Sequence, residues 1–317
     1  MKKETVLITG GAGFIGSNIA KTLVERGCVI KVLDNLSTGY LKNLDNVMDK
    51  IEFIKGDIND SELLNKILPD VKFILHQAAL PSVPRSIDDP MKSHHNNITG
   101  TLNLLTAAQK NKVKRVVIAS SSSIYGNRKA DYKNETLRPQ PLSPYAVTKY
   151  ANEVYAKVFA HIYGLETVCL RYFNVFGPQQ DPNSPYSAVI PLFAKAIQND
   201  EAPTIFGDGN HSRDFTFIQN IVEANILAMH SDKVGQGETI NIACGKSYSL
   251  IYLVDQINKI LNKNIKPKFT DNRPGDIKKS LADISKAKKL FGYKPSINFD
   301  EGLKQTVSWL IKTNEKN

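Results

Sequence analysis

The chain has 317 residues, 41% of them hydrophobic, a length that predicts about two domains with their own buried cores. Three scattered cysteines, six histidines without a ligand cluster and an N-terminal apolar stretch of only three residues argue against disulfides, a metal site, a signal peptide and a membrane span, so we expect a cytoplasmic protein. The net charge of +10 comes mostly from 33 lysines spread along the chain, a pattern that favours anionic small molecules over nucleic acid.

Short apolar strands alternate with amphipathic stretches along the first half of the chain. Strands are predicted at Thr5–Thr9, Ile30–Asp34, Glu52–Lys55, Phe73–His76, Val116–Ala119 and Thr167–Tyr172. Helices are predicted at Phe14–Arg26, Ser61–Ile67, Ile98–Lys110 and Ser143–Tyr163. This alternation indicates βαβ units in a doubly wound parallel sheet, an α/β fold of the Rossmann type whose ligands bind beyond the carboxyl ends of the strands.

A turn-rich break at residues 177–182 precedes shorter, mixed elements. We predict a dinucleotide-binding domain over residues 1–173 and a smaller mixed α/β substrate domain over residues 174–317. Within the second half, segments between about residues 215 and 242 are candidates to return to the first domain, namely a helix near Ile218–His230 and a strand at Thr239–Ile242.

The segment from Gly10 to Gly16 reads GGAGFIG and joins the first predicted strand to the first helix. Such glycines allow a tight turn in which backbone N–H groups reach a pyrophosphate at the helix N-terminus. A glycine turn that only packs the helix on the strand is the alternative. Asp34 ends the second strand 18 residues after Gly16, where a carboxylate binds ribose hydroxyls and repels a 2′-phosphate. Together these features predict NAD rather than NADP.

Further candidate cofactor contacts follow the second and third strands. They are Asn35, Ser37, Thr38 and Gly39 after the second strand, and Asp57 and Ile58 after the third. Asp57 lies within reach of an adenine by this reasoning, but it is equally suited to capping the helix that starts near Ser61. Both interpretations of Asp57 stay open at this point.

Tyr145 and Lys149 form a Tyr-x-x-x-Lys pattern on a predicted helix. Residues four apart share one helix face, and Lys149 leans back towards Tyr145. For a phenol to act as a base at neutral pH, its pKa must fall from ~10 to ~7, which requires ~4 kcal/mol. One lysine charge at about 6 Å in an effective dielectric of ~20 supplies ~2.8 kcal/mol. The positive ring of an oxidised nicotinamide would supply the rest.

Residues 119–126 read ASSSSIYG and follow three β-branched residues, which argues against a serine linker and places the hydroxyls at the edge of the sheet. The glycine loop, Asp34, this serine run and Tyr145 with Lys149 resemble the extended short-chain dehydrogenase/reductase family over essentially the whole chain. The resemblance implies three catalytic residues, Ser121, Tyr145 and Lys149. Ser121 would bridge the sugar hydroxyl and Tyr145.

The neighbouring serines separate branches of that family. Nucleotide-sugar 4,6-dehydratases carry acids where this chain has Ser122 and Ser123, and a hydroxyl cannot replace an acid in the elimination of water. Decarboxylating relatives carry a glutamate that this chain lacks. The second half is similar instead to UDP-sugar 4-epimerases, and the loop from His76 to Ser86 is similar to the branch that acts on N-acetylated UDP-hexosamines. UDP-glucose 4-epimerases often have a lysine at the position of Pro81.

The resemblance extends the set of cofactor contacts to the loop after the fourth strand and to the helix that carries the tyrosine. The full set is Gly10, Gly13, Phe14, Ile15, Gly16, Asp34, Asn35, Ser37, Thr38, Gly39, Asp57, Ile58, Gln77, Ala78, Ala79, Asn96, Tyr145, Lys149 and Tyr172. The resemblance assigns Tyr172 to the ribose of the nicotinamide. These positions together imply bound NAD.

The resemblance also implies a set of substrate contacts. They are Ser82, Ser121, Ser122, Ser123, Tyr145, Asn174, Ala188, Val189, Phe206, Arg213, Arg273, Asp276 and Ser280. Arg213 and Arg273 would clamp the diphosphate with planar forks of donors, and Phe206 would contact the uracil. Ser280 stands where plain-hexose epimerases carry a tyrosine wall, although a serine that only caps the turn before Asp283 is the alternative.

We therefore predict an isomerase, an NAD-dependent UDP-hexose 4-epimerase that interconverts UDP-N-acetylglucosamine and UDP-N-acetylgalactosamine, and possible activity on UDP-glucose and UDP-galactose. The reaction would pass through a transient 4-keto sugar. A UDP-glucuronate 4-epimerase and a non-catalytic NAD-binding regulatory protein are the alternatives. The family is often dimeric through two helices, here around residues 94–110 and 145–163, so we expect a homodimer.

Overall fold

The structure, a computed structural model, describes residues 4–128, 130–181, 188–271 and 279–314. Its strands are β1 (Thr5–Thr9), β2 (Val29–Asp34), β3 (Ile51–Lys55), β4 (Phe73–His76), β5 (Arg115–Ser121), β6 (Glu166–Tyr172), β7 (Val175–Phe176), β8 (Thr204–Phe206), β9 (Ser212–Arg213), β10 (Thr216–Phe217), β11 (Gln236–Ile242), β12 (Tyr248–Ser249), β13 (Lys268–Thr270) and β14 (Lys279–Ser280). Its helices are α1 (Phe14–Glu25), α2 (Ser61–Ile67), α3 (Val83–Asp88), α4 (Pro90–His94), α5 (Gly100–Lys110), α6 (Pro144–Tyr163), α7 (Val189–Gln198), α8 (Ile218–His230), α9 (Leu250–Leu261), α10 (Ser285–Phe291) and α11 (Phe299–Asn314).

A seven-stranded parallel sheet in the order β11-β6-β5-β4-β1-β2-β3 organises the molecule. Side chains alternate across it, so that Val6 and Ile8 join the core under α1 and α8, while Leu7 joins the core under α2, α5 and α6. Helices therefore cover both faces, as a parallel sheet requires. The predicted Rossmann-type α/β fold is confirmed.

The six predicted strands are present, and their ends differ from the predicted ones by at most two residues. The seventh strand, β11, comes from the second half of the chain and pairs with β6 at the sheet edge. Arg115 explains part of this return, because its guanidinium donates to the carbonyl oxygens of Ala228, Met229, Ser231 and Val234 around the end of α8. The division into two domains stays a prediction.

Helix α6 begins and ends where its sequence signals predict. The Ser143 side chain accepts a hydrogen bond from the backbone N–H of Ala146, Pro144 occupies the first turn, and Gly164 ends the helix in the left-handed conformation with φ of 69°. The predicted helix Ile98–Lys110 starts later, at Gly100, because residues His95–Thr99 form a π-helical turn. Such turns are frequent at functional sites.

In the described part of the second half, the strands outside the main sheet form three small sheets. They pair β10 with β7, β9 with β12 and β14, and β13 with β8. Their two- and three-residue strands are held by buried polar side chains, most clearly Asp214, which accepts hydrogen bonds from the backbone N–H groups of Cys244, Gly245 and Ala282. Across the described residues, no helix has the combination of length and apolarity needed to cross a membrane.

Candidate active site

A cleft of about 660 Å³ runs along the carboxyl ends of β1, β2, β3 and β4. Its lining contains every residue of the predicted cofactor set except Gly39. Gly39 supports the glycine loop from behind, since a Cβ atom on it would lie 2.9 Å from the Ala12 carbonyl carbon. Residues from seven separate stretches of sequence thus share one cleft, as Rossmann-type sheets require at their strand ends.

The glycine loop allows a close approach of two chain segments and leads into a helix start that suits a diphosphate. Gly10 has φ of +69°, and a Cβ atom on it would lie 2.6 Å from the backbone nitrogen of Ala78 on the neighbouring segment. Helix α1 begins after Gly13 with no side-chain cap and no acidic residue in its first turn. The first-turn N–H groups and the helix dipole therefore face the cleft free of a protein anion, which suits a phosphate.

Asp34 is held rigidly at the end of β2. One carboxylate oxygen accepts from the Ala12 N–H at 2.9 Å and the other from the Leu36 N–H at 2.8 Å. Burial raises the pKa of Asp34, and these two hydrogen bonds oppose the rise. Each oxygen retains a lone pair that can accept from a ribose hydroxyl.

Asp57 lies beside Asp34 and is not a helix cap. The cap of α2 is Asp60, which accepts from the Leu63 N–H, so the capping interpretation of Asp57 was wrong. Asn35 donates to Asp57 at 2.7 Å and thereby joins the ends of β2 and β3. Burial alone would raise the pKa of Asp57, but hydrogen bonds from Asn59 and Asn35 outweigh it and lower the pKa.

The end of β5 faces the first turns of α6, and successive residues of the two elements contact each other. A hydrogen bond joins the side chains of Ser121 and Tyr145. The Lys149 ammonium donates to the Ala119 carbonyl at 2.9 Å and lies 5.9 Å from the centroid of the Tyr145 ring. The predicted trio of Ser121, Tyr145 and Lys149 is therefore assembled at one place, with the lysine charge near the tyrosine ring.

Burial works against both ionisations that the tyrosine base needs. It raises the pKa of Tyr145 to about 12, although the hydrogen bond with Ser121 lowers it, and it lowers the pKa of Lys149 to about 8. Bringing the tyrosine from about 12 to 7 requires roughly 7 kcal/mol, of which one lysine charge at this separation supplies roughly 3. A second positive charge close to Tyr145 is needed for the base to form.

A second cleft of about 390 Å³ adjoins the first on the far side of Tyr145. Of the predicted substrate contacts, those that line it are Ser82, Ser121, Ser122, Ser123, Tyr145, Asn174, Arg213 and Ser280. The Ser123 hydroxyl is buried and has no hydrogen-bond partner among the described residues. A buried hydroxyl without a partner is costly, which suits a site that receives a polar ligand.

Two residues of this second cleft have strained backbones. Ser82 has φ of 97° and Asn174 has φ of 36°, positive values that residues other than glycine rarely adopt. Asn174 is fixed by its side-chain hydrogen bond to the Asp214 carbonyl at 3.0 Å. Strain of this kind persists where the surroundings enforce it, commonly at ligand sites.

Ser280 and Arg213 lie side by side on paired strands. Strands β14 and β9 pair in parallel with Ser280 opposite Arg213, and the Ser280 carbonyl accepts from the Asp214 N–H. Ser280 lines the cleft and is 8% exposed. Asp283 caps the turn that follows it, since it accepts from the Ser285 N–H, and the interpretation of Ser280 as a cap of the turn before Asp283 stays open.

The remaining substrate predictions are Ala188, Val189, Phe206, Arg273 and Asp276. Ala188 lines the first cleft, whereas Val189 at the start of α7 and Phe206 at the end of β8 line neither cleft. Arg273 and Asp276 lie outside the described residues. Among the residues that the structure describes, no group of three or more His, Cys, Asp or Glu side chains could hold a metal ion.

Asn225 and Lys133 are among the polar residues near the site that escaped the sequence interpretation. Asn225 on α8 exchanges hydrogen bonds with the Tyr172 hydroxyl, at 2.8 and 3.1 Å, and accepts from Gln77 at 3.1 Å. Lys133 lines the second cleft with a nearly buried side chain. Neither sits in a motif: Asn225 reads as one polar position on an apolar helix, and Lys133 is one lysine of 33.

Comparisons with known proteins agree with this geometry. A UDP-N-acetylglucosamine 4-epimerase from Methanobrevibacter ruminantium, solved with UDP-N-acetylmuramic acid, is 45% identical with a TM-score of 0.94, over 99% of this chain and 100% of that one. A UDP-glucose 4-epimerase from Thermotoga maritima, solved with UDP-glucose, is 37% identical with a TM-score of 0.93, over 98% and 99% of the two chains. A Thermus thermophilus UDP-glucose 4-epimerase, solved with NAD, is 34% identical with a TM-score of 0.87, over 97% and 99%.

A doubly wound sheet with a glycine loop at α1 and a tyrosine–lysine pair on α6 defines a dinucleotide-binding protein with a site for chemistry. The family model described as GDP-mannose 4,6 dehydratase matches residues 7–306. The chain belongs to the extended short-chain dehydrogenase/reductase family.

Proposed function

We propose that the protein is an NAD-dependent UDP-hexose 4-epimerase, an isomerase. The observation that carries the proposal is the position of Tyr145, which lines both clefts and is followed one turn later by Lys149. A side chain at the junction of a dinucleotide cleft and a second polar cleft can act on a substrate that lies against the cofactor. The relatives described above carry UDP-sugar 4-epimerase activity in their names.

NAD fits the first cleft. The uncapped first turn of α1 suits its diphosphate, Asp34 suits a ribose with free hydroxyls, and the raised pKa of Tyr145 calls for a positive charge near it. The chemistry that bound NAD supplies is acceptance of a hydride from carbon 4 of the sugar and its return to the other face of the resulting 4-keto sugar. The net redox change is zero.

The protein residues move and hold the proton in this scheme. Tyr145 takes the proton of the 4-hydroxyl, directly or through Ser121, and gives it back when the hydride returns. The Lys149 ammonium, 5.9 Å from the centroid of the Tyr145 ring, stabilises the phenolate and is itself held by the Ala119 carbonyl. Lys149 is buried and both Ser121 and Tyr145 are half-buried, which limits the access of water and strengthens these electrostatic interactions.

The serines of the second cleft favour epimerisation over dehydration. The matched family model carries the name of a dehydratase, but a dehydratase of the resembling branch needs acids where this chain presents Ser122 and Ser123. Serine hydroxyls can hydrogen-bond a sugar, but they cannot act as the acid that eliminates water across carbons 5 and 6. We therefore expect the substrates to be hexoses that keep their 6-hydroxyl, or the equivalent group, through the reaction.

UDP-N-acetylglucosamine is the substrate that we favour, with possible activity on UDP-glucose. Ser280 leaves space beside the sugar where a tyrosine ring would fill it, and Arg213 lies next to it to face a diphosphate. The 45% identical relative is named a UDP-N-acetylglucosamine 4-epimerase. Its identity is higher than that of the two UDP-glucose 4-epimerases compared with it.

The test is direct incubation of the purified protein with UDP-N-acetylglucosamine, UDP-glucose and UDP-glucuronate, followed by chromatographic separation of the epimers. We expect fast formation of UDP-N-acetylgalactosamine, slower formation of UDP-galactose and little change in UDP-glucuronate. Unchanged sugars in all three reactions, with NAD bound, would contradict the proposal and favour a regulatory NAD-binding role. Fastest turnover of UDP-glucuronate would move the activity to the uronate branch.

We also propose a homodimer through α6. Apolar side chains recur along its solvent face at Val147, Val154, Val158 and Ile162, the last 71% exposed. Helix α4, which packs against α6, adds Met91. Light scattering should give twice the chain mass, and Val154→Glu should halve it, whereas the matched Phe269→Glu on β13 should not.

The two-domain division at residue 173 and a cytoplasmic location are proposals of the same kind. Strand β11 and helix α8 pack on the sheet, which supports assigning residues 215–242 to the first domain. The three cysteines are free, which suits a reducing compartment. Limited proteolysis that cuts first near residue 174 would support the domain division.

A further inference from the structure

Helix α6 contacts the end of β5 through three residues that are spaced four apart in sequence. The proposed mechanism uses only the first two of them. Tyr145 bonds to Ser121, Lys149 donates to the Ala119 carbonyl, and Glu153 accepts from the Ser120 hydroxyl at 2.6 Å. Residues at this spacing lie on one helix face. Glu153 is therefore the third member of the same row, one turn below the lysine, and the proposed mechanism gives it no role.

Glu153 is fixed from a second strand as well. Arg171 on β6 donates to both of its carboxylate oxygens, at 2.8 and 2.7 Å, and both side chains are 3% exposed. Arg171 lies directly opposite Ser120 in the sheet register, so the two donors approach the carboxylate from adjacent strands. Three donors hold the carboxylate in one place.

A second buried arginine on the same two strands shows what a purely structural pair looks like. Arg115 also bonds a carboxylate, that of Glu166, but it donates to backbone carbonyl oxygens around the end of α8 as well. Glu166 is 36% exposed, at the opposite end of the strands from the clefts. Among the described residues, Arg171 has no backbone carbonyl acceptor of this kind, and its Nη1 is buried without a partner.

Of the titratable groups near Lys149 in the described structure, only Glu153 is expected to be negatively charged. His76 on β4 is neutral at physiological pH, because burial and the Lys149 charge lower its pKa to about 3. Cys169 on β6 is a neutral thiol, because burial raises its pKa well above the usual value. Burial lowers the pKa of Lys149 itself, and Cys169 and Glu153 are the groups that oppose this. Since the thiol is uncharged, Glu153 is the remaining anion beside the lysine in the described structure.

We propose that Glu153 is a positioning residue that keeps the Lys149 amine charged and, through Ser120 and Arg171, fixes the row of side chains that carries Tyr145. The inference rests on the proposed epimerase function for its consequence, but the charge of the lysine is a property of the protein alone. Arg171 serves to hold the carboxylate, because it donates to both carboxylate oxygens of Glu153.

The test measures Lys149 without any sugar. Lysine labelled with carbon-13 at the ε-carbon is titrated by NMR in the NAD-loaded protein, and the Lys149 resonance is assigned by its absence from Lys149→Met. In Glu153→Gln, which keeps the size of the side chain, the Lys149 pKa should fall by about one unit or more, the usual effect of losing a neighbouring opposite charge. In the matched Glu166→Gln it should stay within about 0.3 unit of wild type.

A double variant guards against loss of folding, because Glu153→Gln leaves the Arg171 charge buried and unpaired. Glu153→Gln combined with Arg171→Met removes both charges and should lower the Lys149 pKa by less than the single variant does, because the repulsion by Arg171 is removed as well. An unchanged pKa in the folded double variant, or an equal fall in Glu166→Gln, would overturn the proposal.

The pH profile of epimerisation supplies the second readout. In Glu153→Gln the high-pH limb of kcat should move to lower pH by the same amount as the Lys149 titration, and kcat should fall more than KM rises. A loss of activity that leaves the limb in place would show a packing role only and would overturn the proposal. Absence of epimerisation by wild type would refute the proposed function, while the NMR result would still decide the role of Glu153.

Discussion

The two clefts are built in different ways. Around the first, functional groups stand at the ends of four- to seven-residue strands in one sheet, so the hydrogen-bond ladder sets the position of Asp34 and of the row facing α6. Around the second, Arg213 and Ser280 stand on two-residue strands that single side chains such as Asp214 tie together. In the main sheet, many backbone hydrogen bonds hold each strand in place. In the second region, a few hydrogen bonds to the Asp214 side chain, here called the polar staple, hold the short strands. Single substitutions should therefore disturb the second region's geometry more than the first's.

The largest effect on rate is expected at the junction of the two regions. Tyr145→Phe removes the proposed base and keeps the ring, so kcat should fall by about 10²- to 10⁴-fold, the usual contribution of a general acid–base group. The fold and NAD content should stay unchanged, because phenylalanine keeps the ring and loses only the hydroxyl that faces Ser121. Stopped assays with UDP-N-acetylglucosamine measure kcat, and near-wild-type turnover by the folded variant would remove Tyr145 from its role.

The regular hydrogen bonding of the main sheet explains why the residues of the first cleft could be predicted from the sequence. Hydrophobic alternation located β1 to β6, and parallel pairing then places their carboxyl ends together, so the residues after those ends had to meet. The row of Ser121, Tyr145 and Lys149 needed only two further local signals, a strand end and a helix spacing of four.

The rest of the site depends on contacts between distant segments, which no local pattern encodes. Asn225 reaches Tyr172 and Gln77 only because α8 returns to pack on the sheet. Asp60 rather than Asp57 caps α2, a difference of one turn that several nearby acids made ambiguous in sequence. The short strands β9 and β14 carry too few residues to show a period, so their pairing could not be predicted.

The polar staple gives the sharpest test of the contrast between the regions. Asp214→Ala leaves the N–H groups of Cys244, Gly245 and Ala282 without their acceptor, each at a cost of roughly 1–3 kcal/mol when buried. We expect the free energy of unfolding to drop by several kcal/mol and KM for the UDP-sugar to rise, while NAD affinity changes little. Urea unfolding and an NAD titration measure these quantities. Equal losses of sugar and NAD binding would mean that the two regions are not independently built.

The size of the second cleft can be changed at Ser280. Ser280→Tyr adds a ring beside the sugar in a packed site, which typically costs ~1–3 kcal/mol, or about five- to 150-fold in kcat/KM for the bulkier substrate. UDP-N-acetylglucosamine should lose by that factor relative to UDP-glucose, and Ser280→Ala, which keeps the space, should leave the ratio within about twofold. An unchanged ratio in Ser280→Tyr would show that Ser280 does not limit substrate size.

The smallest expected effect compares two equivalent helix caps, one in each region. Ser143 caps α6 and Ser249 caps α9, each accepting a backbone N–H at 3.1 Å. Replacing either by Ala should lower the free energy of unfolding by about 1 kcal/mol, since the lost bond is the same. Only Ser143→Ala should also lower kcat, by a few-fold, because Tyr145 lies in the first turn of α6 and fraying there moves the phenol relative to Ser121. Chemical denaturation and kcat measured on both variants decide the matter. Equal kcat values for the two would mean that packing on β5, rather than the cap, holds Tyr145 in place.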